Sequence, residues 1–168
     1  MPGKYLYLTF IVVLAVAFLL GAAFRVWRKR AAEQGLLLAA PADSLALDPV
    51  TSFSRVQYVA TTLTDDPLNR VMAHGLGFRG WAQLEVGPQG VWVKRQGEID
   101  FAIEASKVRK VALDSATIDR AVEKDGLIRL DWLHDQHELS TFLRPKSAME
   151  KDEILSAINA VISKEAIQ

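Results

Sequence analysis

The feature that most constrains what this chain can form is an uncharged apolar run of twenty residues, Tyr5–Phe24, with the sequence YLYLTFIVVLAVAFLLGAAF. An α-helix of this length extends about 30 Å, which matches the hydrocarbon core of a bilayer. A cleaved signal peptide is the alternative interpretation. The run is too long for the apolar region of a signal peptide, and only Lys4 precedes it. The sequence therefore predicts a retained membrane helix.

Four bases follow this run and predict its orientation: Arg25, Arg28, Lys29 and Arg30. Lys and Arg residues that flank a membrane helix stay on the cytoplasmic side. We therefore expect a single-pass protein of the cell membrane, with its amino terminus outside and its folded domain in the cytoplasm. The same four side chains are candidates for contact with anionic headgroups at the membrane surface, and the alternative is that they only set the topology.

The charge is distributed unevenly along the chain. The whole chain has 20 Lys/Arg and 20 Asp/Glu, and residues 1–30 hold five of the bases and none of the acids. The rest therefore carries 15 bases against 20 acids, and this negative charge is a poor match for nucleic acid, which binds basic surfaces. The chain has no cysteine, which excludes thiol catalysis, cysteine-based metal sites and a disulfide framework.

The patterns along the chain predict three parts: a membrane helix with its basic flank over residues 1–30, a tether over 31–54, and a folded domain over 55–165. The tether is rich in Ala, Pro, Ser and Asp, and whether it docks on the domain is left open. The domain begins with short alternating or β-branched segments between turn signals, which predict antiparallel strands. The seven predicted strands cover residues 56–63, 80–86, 90–95, 99–105, 107–113, 126–134 and 138–144.

A helix is predicted after the last strand. Ser147 and Glu150 have the spacing of a capping box, in which a hydroxyl and a carboxylate bind free backbone N–H groups at the start of a helix. Apolar residues then recur with helical spacing at Ile154, Leu155, Ile158, Val161 and Ile162. We expect this stripe to cover the open end of a small, strongly bent sheet.

Gly75, Gly77 and Gly80 have the G-x-G-x-x-G spacing of a dinucleotide-binding loop, within the stretch HGLGFRGW. Such a loop needs a strand before it and a helix after it, so that the N-terminus of the helix faces the pyrophosphate. Here a Pro-containing loop precedes the glycines, and an alternating strand pattern follows them. We therefore interpret the stretch as a glycine-rich lead into the second strand, where the backbone bends sharply or approaches a neighbour.

Two tryptophans and two histidines are the remaining candidates. Trp81 and Trp92 fall on the nominally polar faces of adjacent strands, where large aromatic side chains often mark an interface. Cover by the tether or by a loop is the alternative. His134 and His137 flank a tight turn that points them to different sides, so we interpret them as part of a solvated turn rather than as metal ligands. We predict no metal, cofactor or catalytic site.

Four runs of the sequence resemble the bacterial PH-like domain of actinobacterial single-pass membrane proteins: YVATTL, DDPLNRVMAHGLGFRGWAQLEV, GVWVKRQGEIDFAI, and residues 116–119 with the following GLIRLDW. The resemblance covers about residues 5–165. It implies mainly β structure with α-helix, as a seven-stranded, partly open PH-like barrel that the C-terminal helix caps. Eukaryotic PH domains that read phosphoinositides place a basic cluster in the first loop. That loop here contains Asp65 and Asp66, so no lipid-binding residue is carried over.

These features predict a membrane-tethered PH-like module that is not an enzyme and uses no cofactor. It would act as a scaffold for an unknown protein partner or for copies of itself, because tethering raises the effective concentration of partners on the same membrane. The alternative is an accessory subunit of a membrane transport or export complex. One helix cannot line a transport path, so that alternative needs further subunits.

Overall fold

A computed structural model describes residues 3–37, 40–42, 51–117, 120–121 and 123–165. The first element is a long helix, α1 (Gly3–Leu37), which contains the whole apolar run. The large apolar side chains that are described between Tyr5 and Val26 are exposed, including Phe18 at 77%. The segment Tyr7–Lys29 is long and apolar enough to cross a membrane.

Seven strands form one antiparallel sheet after α1, and two very short strands pair separately. The strands are β1 (Thr51–Leu63), β2 (Gly80–Gly87), β3 (Gly90–Arg95), β4 (Phe101–Glu104), β5 (Val108–Asp114), β6 (Ala116–Thr117), β7 (Arg120–Ala121), β8 (Leu127–His134) and β9 (His137–Arg144). The order in the sheet is β4-β3-β2-β1-β9-β8-β5, and β6 pairs with β7. Because β4 and β5 are the two edges of the sheet, the barrel is partly open, which confirms the predicted architecture.

The long strand β1 joins the two halves of the sheet. Its first part pairs with β2, starting with Thr51 opposite Val86, and its second part pairs with β9. A bulge around Arg55, whose φ is 66°, bends the strand. The strand begins earlier than the predicted residue 56, because residues 51–54, which the sequence pattern placed in the tether, continue the ladder with β2.

Alternation along the strands places one apolar face inside. Ala82, Leu84 and Val86 of β2 are buried, which fits the alternation in the predicted strand 80–86. Ile99 differs from its prediction as the first residue of a strand: it is 65% exposed, since β4 begins only at Phe101.

The C-terminal helix, α2 (Ala148–Glu165), closes the open end of the sheet. The Ser147 hydroxyl accepts a hydrogen bond from the Glu150 N–H (3.2 Å), while the Glu150 carboxylate accepts one from the N–H of Lys146 (2.7 Å). The predicted capping interaction therefore forms, with the carboxylate reaching one residue further back than in the usual box. The apolar stripe faces the core: Ile154, Ile158 and Val161 are buried, and Leu155 and Ile162 pack at its margin.

A series of buried hydrogen bonds crosses the core and connects side chains of β8, β9 and β1. Trp132 Nε1 donates to Thr141 Oγ1 (3.0 Å), the Thr141 and Thr61 hydroxyls are 2.8 Å apart, and Thr61 Oγ1 is 2.7 Å from the Tyr58 hydroxyl. Tyr58 donates to the carbonyl of Leu76 (2.6 Å). Because an indole only donates and a carbonyl only accepts, each hydroxyl can donate once in the same direction along this chain. Each of these four side-chain polar atoms thereby has a hydrogen-bond partner inside the core.

Candidate interaction surfaces

An apolar groove lies between α2 and the paired ends of β1 and β2. Its volume is about 640 Å³. The apolar side chains that line it are Phe53, Val86, Pro88 and Val161, together with Met149, Ala157 and Ala160 of α2. The two alanines leave this side of the helix open, and Met149 is 72% exposed. The folded domain therefore presents a concave apolar surface beside the helix that completes its core.

Acidic side chains form one rim of this groove. Asp152 and Glu153 belong to its lining together with Ser156, and both carboxylates are exposed. Neither carboxylate forms an ion pair with another residue in the described part of the chain. The sequence analysis missed this surface because it considered only the stripe of α2 that faces the core. The available signal was the pair of small residues, Ala157 and Ala160, beside that stripe.

The structure does not bring the two predicted interface tryptophans together. Trp92 on β3 lies opposite Glu85 on β2, which is four residues from Trp81. At about 3.3 Å per residue, the two tryptophans are separated by about 13 Å along the hairpin. They lie near opposite ends of the outer face rather than in one aromatic patch.

Each of these tryptophans is instead paired with a cation. The Arg55 guanidinium lies 5.0 Å from the centroid of the Trp81 ring, and the Lys94 ammonium lies 4.1 Å from that of Trp92. Glu85 fixes Lys94 through an ion pair of 2.6 Å. Trp81 is 42% exposed, whereas Trp92 is half-buried. Trp81 is therefore the more accessible member of the pair.

Part of the tether docks on the edge of the sheet. Ala42 pairs with Ala102 in an isolated antiparallel bridge, in which the Ala102 N–H donates to the Ala42 carbonyl (2.8 Å). Ala102 belongs to the edge strand β4, so this bridge covers one point of that edge. The question that the sequence left open is thus answered for residues 40–42, while residues 43–50 lie outside the described residues.

The end of the apolar segment of α1 contacts the loop between β1 and β2. The Trp27 ring stacks on Phe24, with centroids 5.7 Å apart, and lies 6.0 Å from the ring of Phe78. Phe78 comes from the glycine-containing loop and is 39% exposed. These rings connect the helix to the domain at the level where the apolar segment ends.

The predicted membrane-surface bases lie at the same end of α1. Arg25, Arg28 and Lys29 are exposed. The Arg28 guanidinium lies 5.8 Å from the Phe24 ring centroid, and Lys29 forms a long ion pair with Glu33 (3.7 Å). The side chain of Arg30 lies outside the described residues.

The glycine motif forms a tight bend that leads directly into β2. Gly75 has a φ of 70°, and a Cβ atom there would lie 2.6 Å from a carboxylate oxygen of Glu98. A Cβ atom at Gly77 would lie 2.6 Å from the sulfur of Met72. The interpretation as a bend with close neighbours is confirmed, since Gly80 begins a strand and not a helix. The arrangement thus lacks the helix N-terminus that a dinucleotide loop places at the pyrophosphate.

Arg95 connects this bend to the turn after β3. Its guanidinium donates to the carbonyls of Gly75 (2.6 Å) and Ile99 (2.9 Å) and lies 5.1 and 5.2 Å from the ring centroids of Tyr58 and Phe101. Burial lowers the pKa of Arg95, while neighbouring carboxylates oppose that shift. The contacts of this arginine are thus those of a structural side chain.

The two histidines lie opposite each other at the ends of β8 and β9. His134 pairs with His137 across the intervening turn. The prediction of a solvated turn with histidines on different sides is therefore wrong. Directly paired residues of an antiparallel ladder share one face, and His134 is buried with its ring 5.3 Å from that of Trp132. Within the described residues, no group of three or more His, Asp or Glu side chains has an arrangement that could hold a metal ion.

Two solved structures illustrate the likeness of this fold to known ones. A chain of "The 8S snRNP Assembly Intermediate" superposes with a TM-score of 0.50 at 10% identity, over 74% of this chain and 89% of that one. The C-terminal phosphotyrosine interaction domain of APBB2 from mouse gives a TM-score of 0.45 at 13% identity, over 71% and 93%. Because the sequence identity is only 10%, the similarity to the chain of the snRNP assembly intermediate concerns the fold alone. Comparison with curated proteins found no similar sequence.

A family assignment comes from the sequence profile. The profile of the family described as bacterial PH domain-like matches residues 34–159, which is about three quarters of the chain. The match begins at the end of α1 and includes the whole sheet and most of α2. The fold and the profile therefore agree, and the chain belongs to the bacterial PH domain-like family.

Proposed function

We propose that this chain is a membrane-tethered scaffold, in which α1 spans the cell membrane and the PH-like domain binds a protein partner on the cytoplasmic side. PH-like domains commonly mediate protein interactions and are generally not catalytic. The observation that carries the proposal is the exposure of an apolar helix next to a domain with its own core. A lipid environment would bury the helix and leave the domain free to bind.

The contact between Trp27 and Phe78 supports a position of the domain close to the membrane. Trp27 lies near the end of the segment that can span a bilayer, and Phe78 belongs to the domain. Tryptophan is favoured at the level of the headgroups, and the exposed Arg28 and Lys29 suit anionic lipids there. In this arrangement the domain remains within reach of other proteins in the same membrane.

Fractionation of the full-length chain tests the tether. We expect it to remain in the membrane pellet after alkaline carbonate extraction, with a reporter fused after Gln168 active only in the cytoplasm. A chain that is released by gentle lysis, or a reporter that is active only outside, would contradict the tether or its orientation.

Crosslinking in membranes tests the interaction role. The outer face of the β2–β3 hairpin is our candidate interface, so replacement of Trp81 and Trp92 by Ser should weaken capture of the partner or of a second copy. Gln83→Ser on the same face is the matched control and should leave capture unchanged. Loss of folding in the double variant would show instead that the tryptophans are structural. Capture of transporter subunits would favour an accessory role in a transport complex over a general scaffold.

A further inference from the structure

We infer that the groove between α2 and the ends of β1 and β2 binds a short segment of a partner protein that presents apolar side chains flanked by Lys or Arg. This inference rests on the proposed scaffold function and specifies one surface and the chemistry of the partner. It is independent of the tryptophans, which lie on the outer face of the sheet.

The size and lining of the groove indicate an apolar occupant. A volume of about 640 Å³ lies within the range of roughly 300–1,000 Å³ that is usual for binding pockets. Phe53, Val86 and Val161 form a floor that is continuous with the core. Met149 contributes a flexible thioether at the surface, which adapts to differently shaped apolar partners. A few apolar side chains of a peptide would fill this space and displace water from it.

The groove is open because two residues of α2 that line it have small side chains. Ala157 and Ala160 both line the groove, and a longer side chain at either position would project into it. Ala160 and its neighbour Asn159 are both exposed, but only Ala160 belongs to the groove lining. These two positions therefore provide a substitution and a matched control on adjacent residues of one helix.

The charge at the rim indicates a basic occupant. Asp152 and Glu153 line the groove, and among the residues that the structure describes its lining contains no Lys or Arg. The part of the chain after residue 30 has five more acids than bases, so the net charge of the domain has the same sign as that of the rim. A Lys or Arg beside the apolar side chains of a partner would meet both carboxylates, whereas an anionic lipid or nucleic acid would be repelled.

Peptide selection on the full-length chain in lipid nanodiscs tests the inference. The probe is a displayed library of random twelve-residue peptides, and the selected peptides should combine two or more apolar residues with Lys or Arg. Their affinity is then measured by fluorescence polarisation. Ala160→Glu should weaken binding about tenfold or more, because the longer side chain occupies the space that the apolar side chains of the peptide would fill. Asn159→Glu should leave the affinity unchanged.

A charge exchange tests the rim separately. The double variant Asp152→Lys with Glu153→Lys should lose binding of the basic peptides and should select acidic ones instead. Asp65→Lys with Asp66→Lys changes the net charge equally at exposed positions in the β1–β2 loop, and it should behave as the wild type. Thermal melting followed by circular dichroism should show that all variants remain folded.

Several outcomes would overturn the inference. They are the absence of any enriched peptide, binding that Ala160→Glu does not change, and self-association of the wild type that Ala160→Glu abolishes, which would identify a second copy as the occupant. If peptides bind only after residues 43–50 are replaced by Gly and Ser, the occupant is the chain itself and not a partner.

The failure of this inference can be told apart from failure of the scaffold. If capture in membranes depends on Trp81 and Trp92 but not on Ala160, the groove is not the binding surface while the scaffold remains. If the chain is not membrane-bound, peptide binding by the groove can still be measured and judged separately.

Discussion

The two helices of this chain are both rich in apolar residues, yet they place them in opposite surroundings. In α1 the described apolar side chains are exposed around the whole helix from Tyr5 to Val26. In α2 the apolar side chains form one stripe, so that Ile158 is fully buried while the adjacent Asn159 is exposed. The distribution of apolar residues around a helix, more than their number, thus decides whether lipid or a protein core can bury them.

Charges in the middle of α1 would break this contrast most strongly. Leu14→Arg together with Ala17→Arg should oppose insertion by about 2.5–3.5 kcal/mol for each arginine at the centre of a membrane helix. We expect the double variant to leave the carbonate-resistant membrane fraction, as measured by immunoblotting. Ala32→Arg with Gly35→Arg adds the same charge beyond the apolar segment and should not do so. Full retention of the first variant would show that α1 is not held by lipid.

The corresponding change in α2 should unfold the domain instead of releasing it from the membrane. Ile158→Asp places a carboxylate in the core without a partner, which costs about 4 kcal/mol or more and is a large fraction of the stability of a small domain. Thermal melting of the chain in detergent, followed by circular dichroism of the strands, measures this effect. Asn159→Asp is the exposed control. An unchanged melting temperature for Ile158→Asp would mean that α2 is not part of the core.

The same substitution at two tyrosines compares the interior of the domain with the surface of α1. Tyr58→Phe removes the hydroxyl that connects Thr61 with the carbonyl of Leu76, and it should lower the free energy of unfolding by about 1–3 kcal/mol. Tyr7→Phe makes the same chemical change at an exposed position and should leave the melting of the domain unaltered. Equal melting temperatures for the two variants would contradict the role of the buried hydrogen-bond chain.

The stability of the domain at alkaline pH should depend on the ionisation of the same buried phenol, Tyr58. Burial raises the pKa of Tyr58 above its ordinary value of 10.0, so the folded domain retains a proton that the unfolded chain releases. Its contribution is therefore complete below about pH 10 and decreases at higher pH, by up to about 1.4 kcal/mol per pH unit. The stability difference between wild type and Tyr58→Phe should stay constant below about pH 10 and shrink as the pH rises further, as measured by chemical denaturation. If the stability difference between the two proteins stays constant above about pH 10, the Tyr58 phenol does not cause the loss of stability at alkaline pH.

Two hydroxyl groups provide the smallest contrast between the helices. Ser147→Ala removes the acceptor for the Glu150 N–H at the start of α2, and should destabilise the domain by about 1 kcal/mol. Thr9→Ala removes a hydroxyl that only donates to the carbonyl of Tyr5 within α1, so domain melting should not change. If Ser147→Ala melts as the wild type does, water replaces the cap at no cost.

Much of the fold could be predicted because local patterns and the final structure agree. The alternation in β2, the turn between β2 and β3, and the stripe of α2 each depend on residues that are close in sequence. The start of β1 could not be predicted, since residues 51–54 have no strong strand pattern and become a strand by pairing with β2. Ile99 was misplaced for a related reason, because the turn that precedes β4 is longer than the sequence pattern indicated.

The candidate surfaces were less predictable than the fold. Trp81 and Trp92 lie on the outer face of β2 and β3, as their alternation indicated, but strand register separates them and places a different cation on each ring. The groove beside α2 was not predicted at all. Its lining combines residues from β1, β2 and α2, of which those in β1 and α2 are about 100 positions apart, and single-sequence patterns carry no information about such contacts.

The sequence by itself determined the apolar helix, its basic flank, the alternating strands and the capped C-terminal helix, because each follows from periodicity or turn chemistry within a few residues. Tertiary structure decided which strands are neighbours, how β1 spans both halves of the sheet, and where α2 leaves a groove open. It also decided that Arg95 holds the glycine bend and that Ala42 covers the β4 edge. These features depend on contacts between distant segments, and only the packing of the whole chain brings those segments together.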